Sequence, residues 1–381
     1  MAKFPILLSC LVISLGVHAQ VVTYDNAKKK AQKSFDNAQL AVSEYKTEDA
    51  IIYLQEAVRA EPGFTDAYGQ MTISYVELKK YDEAINAFET LKRLDSASIR
   101  PALLAYSKAL GGVGRFSEAL ASINLYIATT KVKNPKAEAL QKTFTYAARE
   151  AAHPVPFKPV NLGDNINTKD GEYFPSLTID NQMLVFTRRV NGKNEDFYVS
   201  ERDDSMHWKK AYNLGQPVNS SAFNEGAQNI SQDGNMLVFT GCNFPNGRGS
   251  CDIYYAIRTE EGMWVEPMNL GNPINTRDWE SQPCLSPDKQ TLYFARETAD
   301  AGSDIFMSVM QANGRWGTPE RLGPNINTPG DESTPFIHAD NQTLYFASNG
   351  HPGFGGMDLF YSRRQADGTW GPAVNLGYPI N

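Results

Sequence analysis

From residue 162 onward a Leu-Gly pair returns at nearly even intervals. Leu162-Gly163, Leu214-Gly215, Leu270-Gly271, Leu322-Gly323 and Leu376-Gly377 are separated by 52, 56, 52 and 54 residues. A pattern recurring at this period makes each copy one supersecondary unit that buries its apolar face on its neighbours. After each pair come Ile or Val and then Asn, at Asn167, Asn219, Asn275, Asn327 and Asn381. An acidic residue follows in four copies, Glu172, Glu225, Glu280 and Glu332. The next stretch is the most repetitive: Asp180, Asp233, Asp288 and Asp340 each lead into Leu-Val-Phe or Leu-Tyr-Phe. Asp accepts hydrogen bonds from a turn backbone, so these four are expected to be structural residues of hairpin turns. A third strand is expected to open at Asp196, Asp252, Asp304 and Asp358, and a fourth to run from Trp208, Trp264, Trp316 and Trp370 to the Leu-Gly pair. Four short antiparallel strands per unit, repeated radially, describe an all-β propeller over 160–381. Four copies of one pattern argue against a β-sandwich.

The strands do not come out even. Phe157–Gly163 is a fifth copy of the fourth strand, with no first three strands before it. An N-terminal strand commonly completes the last blade of a ring and leaves no edge unpaired. The ring is therefore expected to lack at least one blade, and residues 1–381 to be part of a longer protein.

Upstream, over 23–150, the period changes to that of helices. Ala50, Ala84 and Ala119 stand 34 and 35 residues apart, each after a short turn with an acidic residue. Leu54/Ala57, Phe88/Leu91 and Ile123/Tyr126 then continue one apolar helix face. A closing helix is expected over 136–149. The proline-rich stretch 151–159 reads as a hinge. Charge divides the same way: 20–153 carries 18 basic and 16 acidic side chains, and 154–381 carries 17 and 27. The whole chain, at net −7, lacks the basic footprint of a nucleic-acid binder.

The first nineteen residues read as an address. Lys3 precedes an apolar run from Ile6 to Val17, and Val17-His18-Ala19 is a small-x-Ala site before Gln20. This is the pattern of a secretory signal peptide over 1–19, cleaved between Ala19 and Gln20. Cys10 resembles a lipoprotein box, but cleavage there would leave almost no apolar run. In an oxidising compartment Cys242 and Cys251, which bracket a turn-rich loop, are expected to form a disulfide, and Cys284 to be a small core residue.

The helical repeats resemble the tetratricopeptide (TPR) family, and the 53-residue units resemble the WD40-like repeats of TolB-type propellers. A TPR solenoid implies a groove for a partner segment. Signal peptide, TPR units and WD40-like propeller, in that order, resemble the front half of OmpA-family envelope proteins of Gram-negative bacteria, including type IX secretion components. The resemblance implies a periplasmic, outer-membrane-associated adaptor that docks other envelope proteins. In that family an OmpA-like domain grips peptidoglycan; 1–381 contains no such domain, so peptidoglycan is expected to be bound only outside this sequence.

Catalysis is not expected. An active site breaks a repeat, because acid and base need different environments, whereas these carboxylates recur in every unit. Gly-x-Ser-x-Gly, His-Glu-x-x-His and EF-hand patterns are missing, and the histidines share no ligand spacing. No cofactor or metal is expected. Arg188-Arg189 and Arg363-Arg364 are expected to be surface charges. A propeller hydrolase or a glycan-binding propeller is the alternative to the adaptor.

Overall fold

The structure is a computed structural model that describes residues 21–298 and 302–381. The signal-peptide reading, with Cys10, Ala19 and Gln20, lies outside the described residues. The chain divides into two compact units, one ending at Ala148 and one beginning at Arg149.

The first unit contains seven α-helices among the described residues: α1 Lys29–Ser43, α2 Thr47–Ala60, α3 Thr65–Glu77, α4 Tyr81–Leu94, α5 Leu103–Gly112, α6 Phe116–Thr129 and α7 Pro135–Glu150. None is long and apolar enough to cross a membrane. They pair as α1/α2, α3/α4 and α5/α6. Ala50, Ala84 and Ala119 are fully buried near the starts of α2, α4 and α6. Each of these helices carries acidic residues in its first turn, which favours the positive end of the helix dipole. The turn inside each pair needs one left-handed residue, supplied by Tyr45, Lys79 and Gly114 at equivalent places. Gly111 marks a close approach: a Cβ there would lie 2.4 Å from the Phe144 ring of α7.

The second unit contains four antiparallel sheets of four strands each. Blade I comprises β1 Gly171–Leu177, β2 Met183–Val190, β3 Asn194–Glu201 and β4 Tyr212–Asn213. Blade II comprises β5 Asn224–Ile230, β6 Met236–Cys242, β7 Cys251–Ile257 and β8 Met268–Asn269. Blade III comprises β9 Trp279–Leu285, β10 Thr291–Thr298, β11 Gly302–Val309 and β12 Glu320–Arg321. Blade IV comprises β13 Glu332–Ile337, β14 Thr343–Ser348, β15 Asp358–Arg363 and β16 Val374–Asn375. Each fourth strand is only two residues long, shorter than the repeat suggests. The four Trp form isolated bridges to Arg202, Arg258, Met310 and Arg364 instead.

The core lies between blades. Val185, Phe197 and Val199 of blade I pack on Leu237, Phe239 and Tyr254 of blade II, and matching clusters join II to III and III to IV. Burying such a side chain is worth roughly 1.5–3 kcal/mol. β1 packs on β5, β5 on β9 and β9 on β13, but β13 and β1 form no comparable interface. Residues 157–163 belong to none of the four sheets.

Candidate functional site

Two surfaces are shaped to receive something. In the helical unit, α4, α5 and α6 enclose a groove of about 250 Å³ lined by Phe88, Leu103, Tyr106 and Leu125, with Lys92 and Glu118 on its rim. Phe88 and Tyr106 stack at 3.8 Å, and the Tyr106 hydroxyl bonds the Glu89 carboxylate. Burial and that carboxylate push the phenol well above its usual range. Leu125 stays exposed at the mouth. The groove thus combines a preformed apolar floor with an apolar side chain in contact with water.

In the propeller, the inner strands of all four blades line a central opening of about 190 Å³. Phe174, Ala227, Gln282 and Thr334 occupy one repeat position there, and all four have left-handed φ of +48 to +56°. A non-glycine residue in that region costs of order 1–3 kcal/mol, so the surroundings must hold it. The holding bonds run between blades. Gln228 Nε2 of blade II donates to Phe174 O of blade I at 2.7 Å. Gln282 N–H reaches Thr240 Oγ1 at 3.1 Å, and Thr334 N–H reaches Gln282 Oε1 at 2.7 Å. Each sits at a bulge where the inner strand shifts register. These bonds link each of the first three blades to the next, and the only trace of the conformation in the sequence is a proline after three of the four residues.

The recurrent carboxylates are occupied by structural bonds. Asp180 accepts from Thr178 Oγ1 at 2.6 Å and from Gln182 N–H at 3.0 Å; Asp288 accepts from Ser286 Oγ and Gln290 N–H in the same way. Those bonds hold both carboxyls below the usual range. Burial opposes the shift at Asp233 and Asp340, yet hydrogen bonds, and Lys289 at 2.6 Å from Asp233, outweigh it and hold both at about 2.

The strand-opening glutamates differ from blade to blade. Glu172 meets Arg188 Nε at 2.9 Å and Glu280 meets Arg296 Nε at 2.9 Å, with Thr168 and Thr276 hydroxyls completing each carboxylate. The same guanidinium donates to the carbonyl of Ile166 or Ile274 and lies over an aromatic pair, Phe186/Tyr198 or Phe294/Phe306. Arg188 is thus a buried core residue and Arg364 is half-buried over Trp370, donating to Tyr293 Oη at 2.6 Å. This corrects the expectation that both arginine pairs are surface charges: strand register carries one member of each pair inward. Arg189 and Arg363 do face solvent. In blade IV Ser348 Oγ bonds Glu332, and the His351 ring takes the guanidinium's place over Phe346 and Phe360, with Nε2 on Ile326 O.

Blade II has neither arrangement. Gly241 stands where Arg188 and Arg296 stand, and the Phe244 ring packs on Tyr254 instead. Glu225 is fully buried, and neither carboxyl oxygen has a hydrogen-bond partner. Burial pushes it up to about 7. The neighbouring Ser220 hydroxyl and amide oppose the shift without reversing it. Cys242 and Cys251 are disulfide-bonded directly across β6 and β7 of this blade, while Cys284 is a free, buried thiol that burial pushes up to about 12. No group of three or more His, Cys, Asp or Glu that could hold a metal ion occurs among the described residues.

These features define a two-part protein, a TPR-like helical stack followed by a four-bladed β-propeller. No family model matches the sequence, and no curated protein does. Among solved structures the chain is similar to TolB from Acinetobacter baumannii, at 15% identity and TM-score 0.38 over 56% of this chain and 45% of that one. It spans less than half the length of that TolB. It is also similar to the second TPR domain of human RPAP3 in complex with an HSP70 peptide, at 19% identity and TM-score 0.28 over 30% of this chain and 95% of that domain. A third is α-L-arabinofuranosidase from Lactobacillus brevis, at 14% identity and TM-score 0.36 over 56% of this chain and 76% of that one.

Proposed function

We propose that this protein is a non-enzymatic scaffold of the cell envelope that docks partner proteins. The observation that carries the reading is the α4–α6 groove, whose apolar floor and charged rim suit a peptide segment better than a small polar substrate. The repeated carboxylates support it, because hydrogen bonds and ion pairs that build the fold already occupy most of them. The signal-peptide pattern and the order of domains support a periplasmic, outer-membrane-associated site. They also support kinship with the OmpA-family protein PorE and a place in a type IX secretion or peptidoglycan-linked assembly. The test is capture from envelope extract by the exported chain and by a Leu125→Glu/Lys92→Glu variant. The scaffold reading expects a protein retained by the first and lost by the second, with parent and variant melting alike. Enrichment of glycans or small molecules alone would instead favour a hydrolase or glycan-binding propeller.

A further inference from the structure

The surroundings of the repeated tryptophan are alike from blade to blade, with one exception. Trp208, Trp264, Trp316 and Trp370 bridge Arg202, Arg258, Met310 and Arg364. In blades I and IV the guanidinium at this place lies over the indole, Arg202 at 4.1 Å and Arg364 at 4.8 Å. Blade III has Met310 there, which carries no charge to place over Trp316. A second tie is missing in the same blade. Asn165 Nδ2 donates to Trp208 O at 2.6 Å, and Asn325 Nδ2 donates to Trp370 O at 2.7 Å. Both asparagines stand three residues after the leucine of a Leu-Gly pair, and at that place before blade III stands Pro273. Proline has no side-chain donor, so it cannot make this bond to Trp316 O.

Trp316 is half-buried, whereas Trp370 is only 8% exposed. Beside Trp316 opens a groove of about 600 Å³, lined from both blade II and blade III. That is within the range of roughly 300–1,000 Å³ found for small-molecule clefts. The polar groups in it are Asn272, Gln311, Asn313 and Arg315, all exposed. Among the described residues the side chains of Asn272, Gln311 and Arg315 make no hydrogen bond or ion pair. Asn313 uses only its Oδ1, which accepts the Arg315 amide at 2.9 Å. The equivalent groove between blades III and IV is different. There Arg364 covers the tryptophan, and Arg321 is held by both oxygens of Asp304 at 2.6 and 2.7 Å.

We propose that the groove between blades II and III binds a saccharide. A pyranose ring lies on the Trp316 indole, and its hydroxyls meet Asn272, Gln311, Asn313 and Arg315. The chemistry of the lining selects this class. Amide oxygens need donors, amide and guanidinium N–H groups need acceptors, and a hydroxyl serves as either. A sugar ring carries several hydroxyls around a face of C–H groups, so one ligand satisfies the aromatic wall and the polar groups together. A proline-rich segment would also stack on Trp316, but proline has no N–H, and the oxygens of Asn272 and Gln311 would go unmatched. A cation on the indole, as arginine is in blades I and IV, is opposed by Arg315 in the same groove. This adds a second ligand class to the docking role of the helical groove and does not depend on it.

The experiment titrates the exported chain by calorimetry with β-linked gluco-oligosaccharides, N-acetylglucosamine oligosaccharides and oligogalacturonates at millimolar concentration. The first two present neutral rings, and the third adds a carboxylate for Arg315. At least one set should bind. Met310→Arg restores the repeat's own arginine over Trp316 and should melt like the parent, yet weaken binding about tenfold or more, the loss of one stacking face. The double variant Asn272→Ala/Gln311→Ala, at exposed positions that no fold contact uses, should weaken it comparably. Leu125→Glu/Lys92→Glu should leave it unchanged, which separates this site from the helical groove. No binding by any of the three sets would overturn the proposal. So would binding that both groove variants leave intact, or a proline-rich peptide that binds at Trp316 where the sugars do not.

Discussion

Blades II and III share a repeat and differ in how they treat one buried glutamate. In blade III, Glu280 is fully buried but held by Arg296, Thr276 Oγ1 and the Thr276 amide. In blade II, Glu225 is equally buried but has no guanidinium, because Gly241 stands at the arginine's position, and a Cβ there would lie 3.0 Å from the Tyr254 ring and 3.1 Å from that of Phe244. What this blade has instead is a Phe244 ring and a disulfide. The repeat therefore specifies a carboxyl at the start of every inner strand but not a counter-charge. A buried carboxyl without one is tolerated by keeping its proton.

The largest expected effect breaks the well-paired blade. Arg296→Ala leaves Glu280 buried without its counter-charge, held only by the Thr276 hydroxyl and amide, at a cost of about 3–5 kcal/mol in chemical denaturation. Adding Glu280→Gln should restore more than half of that. If Arg296→Ala cost less than 1 kcal/mol, the two blades would not differ as described.

The next sharpens the unpaired blade by pH. Folded, Glu225 holds its proton up to about pH 7, while an unfolded chain releases it near 4.5. The folded state therefore binds more protons between these values, and stability falls as pH rises through that window. The penalty is absent below about pH 4.5 and complete above about pH 7, at roughly 3 kcal/mol. Glu225→Gln should be more stable than the parent by that amount at pH 8 and equal to it near pH 4.5. Parallel pH profiles for the two proteins would remove Glu225 from the account.

Reducing Cys242–Cys251 should cost about 2–3 kcal/mol, as expected for a short closed loop, and should loosen blade II before III. Cys284 should resist alkylation at pH 8 until the chain unfolds, because its thiol is buried and stays protonated. Mass mapping without reductant reads both. The smallest effect is at the exposed Lys289–Asp233 pair, where Lys289→Ala should change stability by less than about 1 kcal/mol and less still in high salt.

Much of this comparison was legible beforehand. The turn aspartates recur in sequence, and the Cys242/Cys251 pair brackets an evident loop. The Glu–Arg pairs were missed, although a signal existed: Glu172 and Arg188, like Glu280 and Arg296, stand sixteen residues apart. Only the register of β1 on β2 and of β9 on β10 shows that the two face each other. The left-handed residues at 174, 227, 282 and 334 were hidden for a related reason. At 174, 282 and 334 the conformation is held by bonds from the adjoining blade, and nothing in Phe, Ala, Gln or Thr prefers it.

Periodicity, turn chemistry and small residues at helix contacts are local properties, and the sequence by itself determined the helical pairs, the four blades and their order. Which faces are covered depends on what stands beside them. Phe197 and Leu359 occupy one position of the same repeat, yet the first is sealed against the next blade and the second meets water. Burial belongs to the pair of surfaces in contact rather than to either sequence, so only the tertiary structure could decide it.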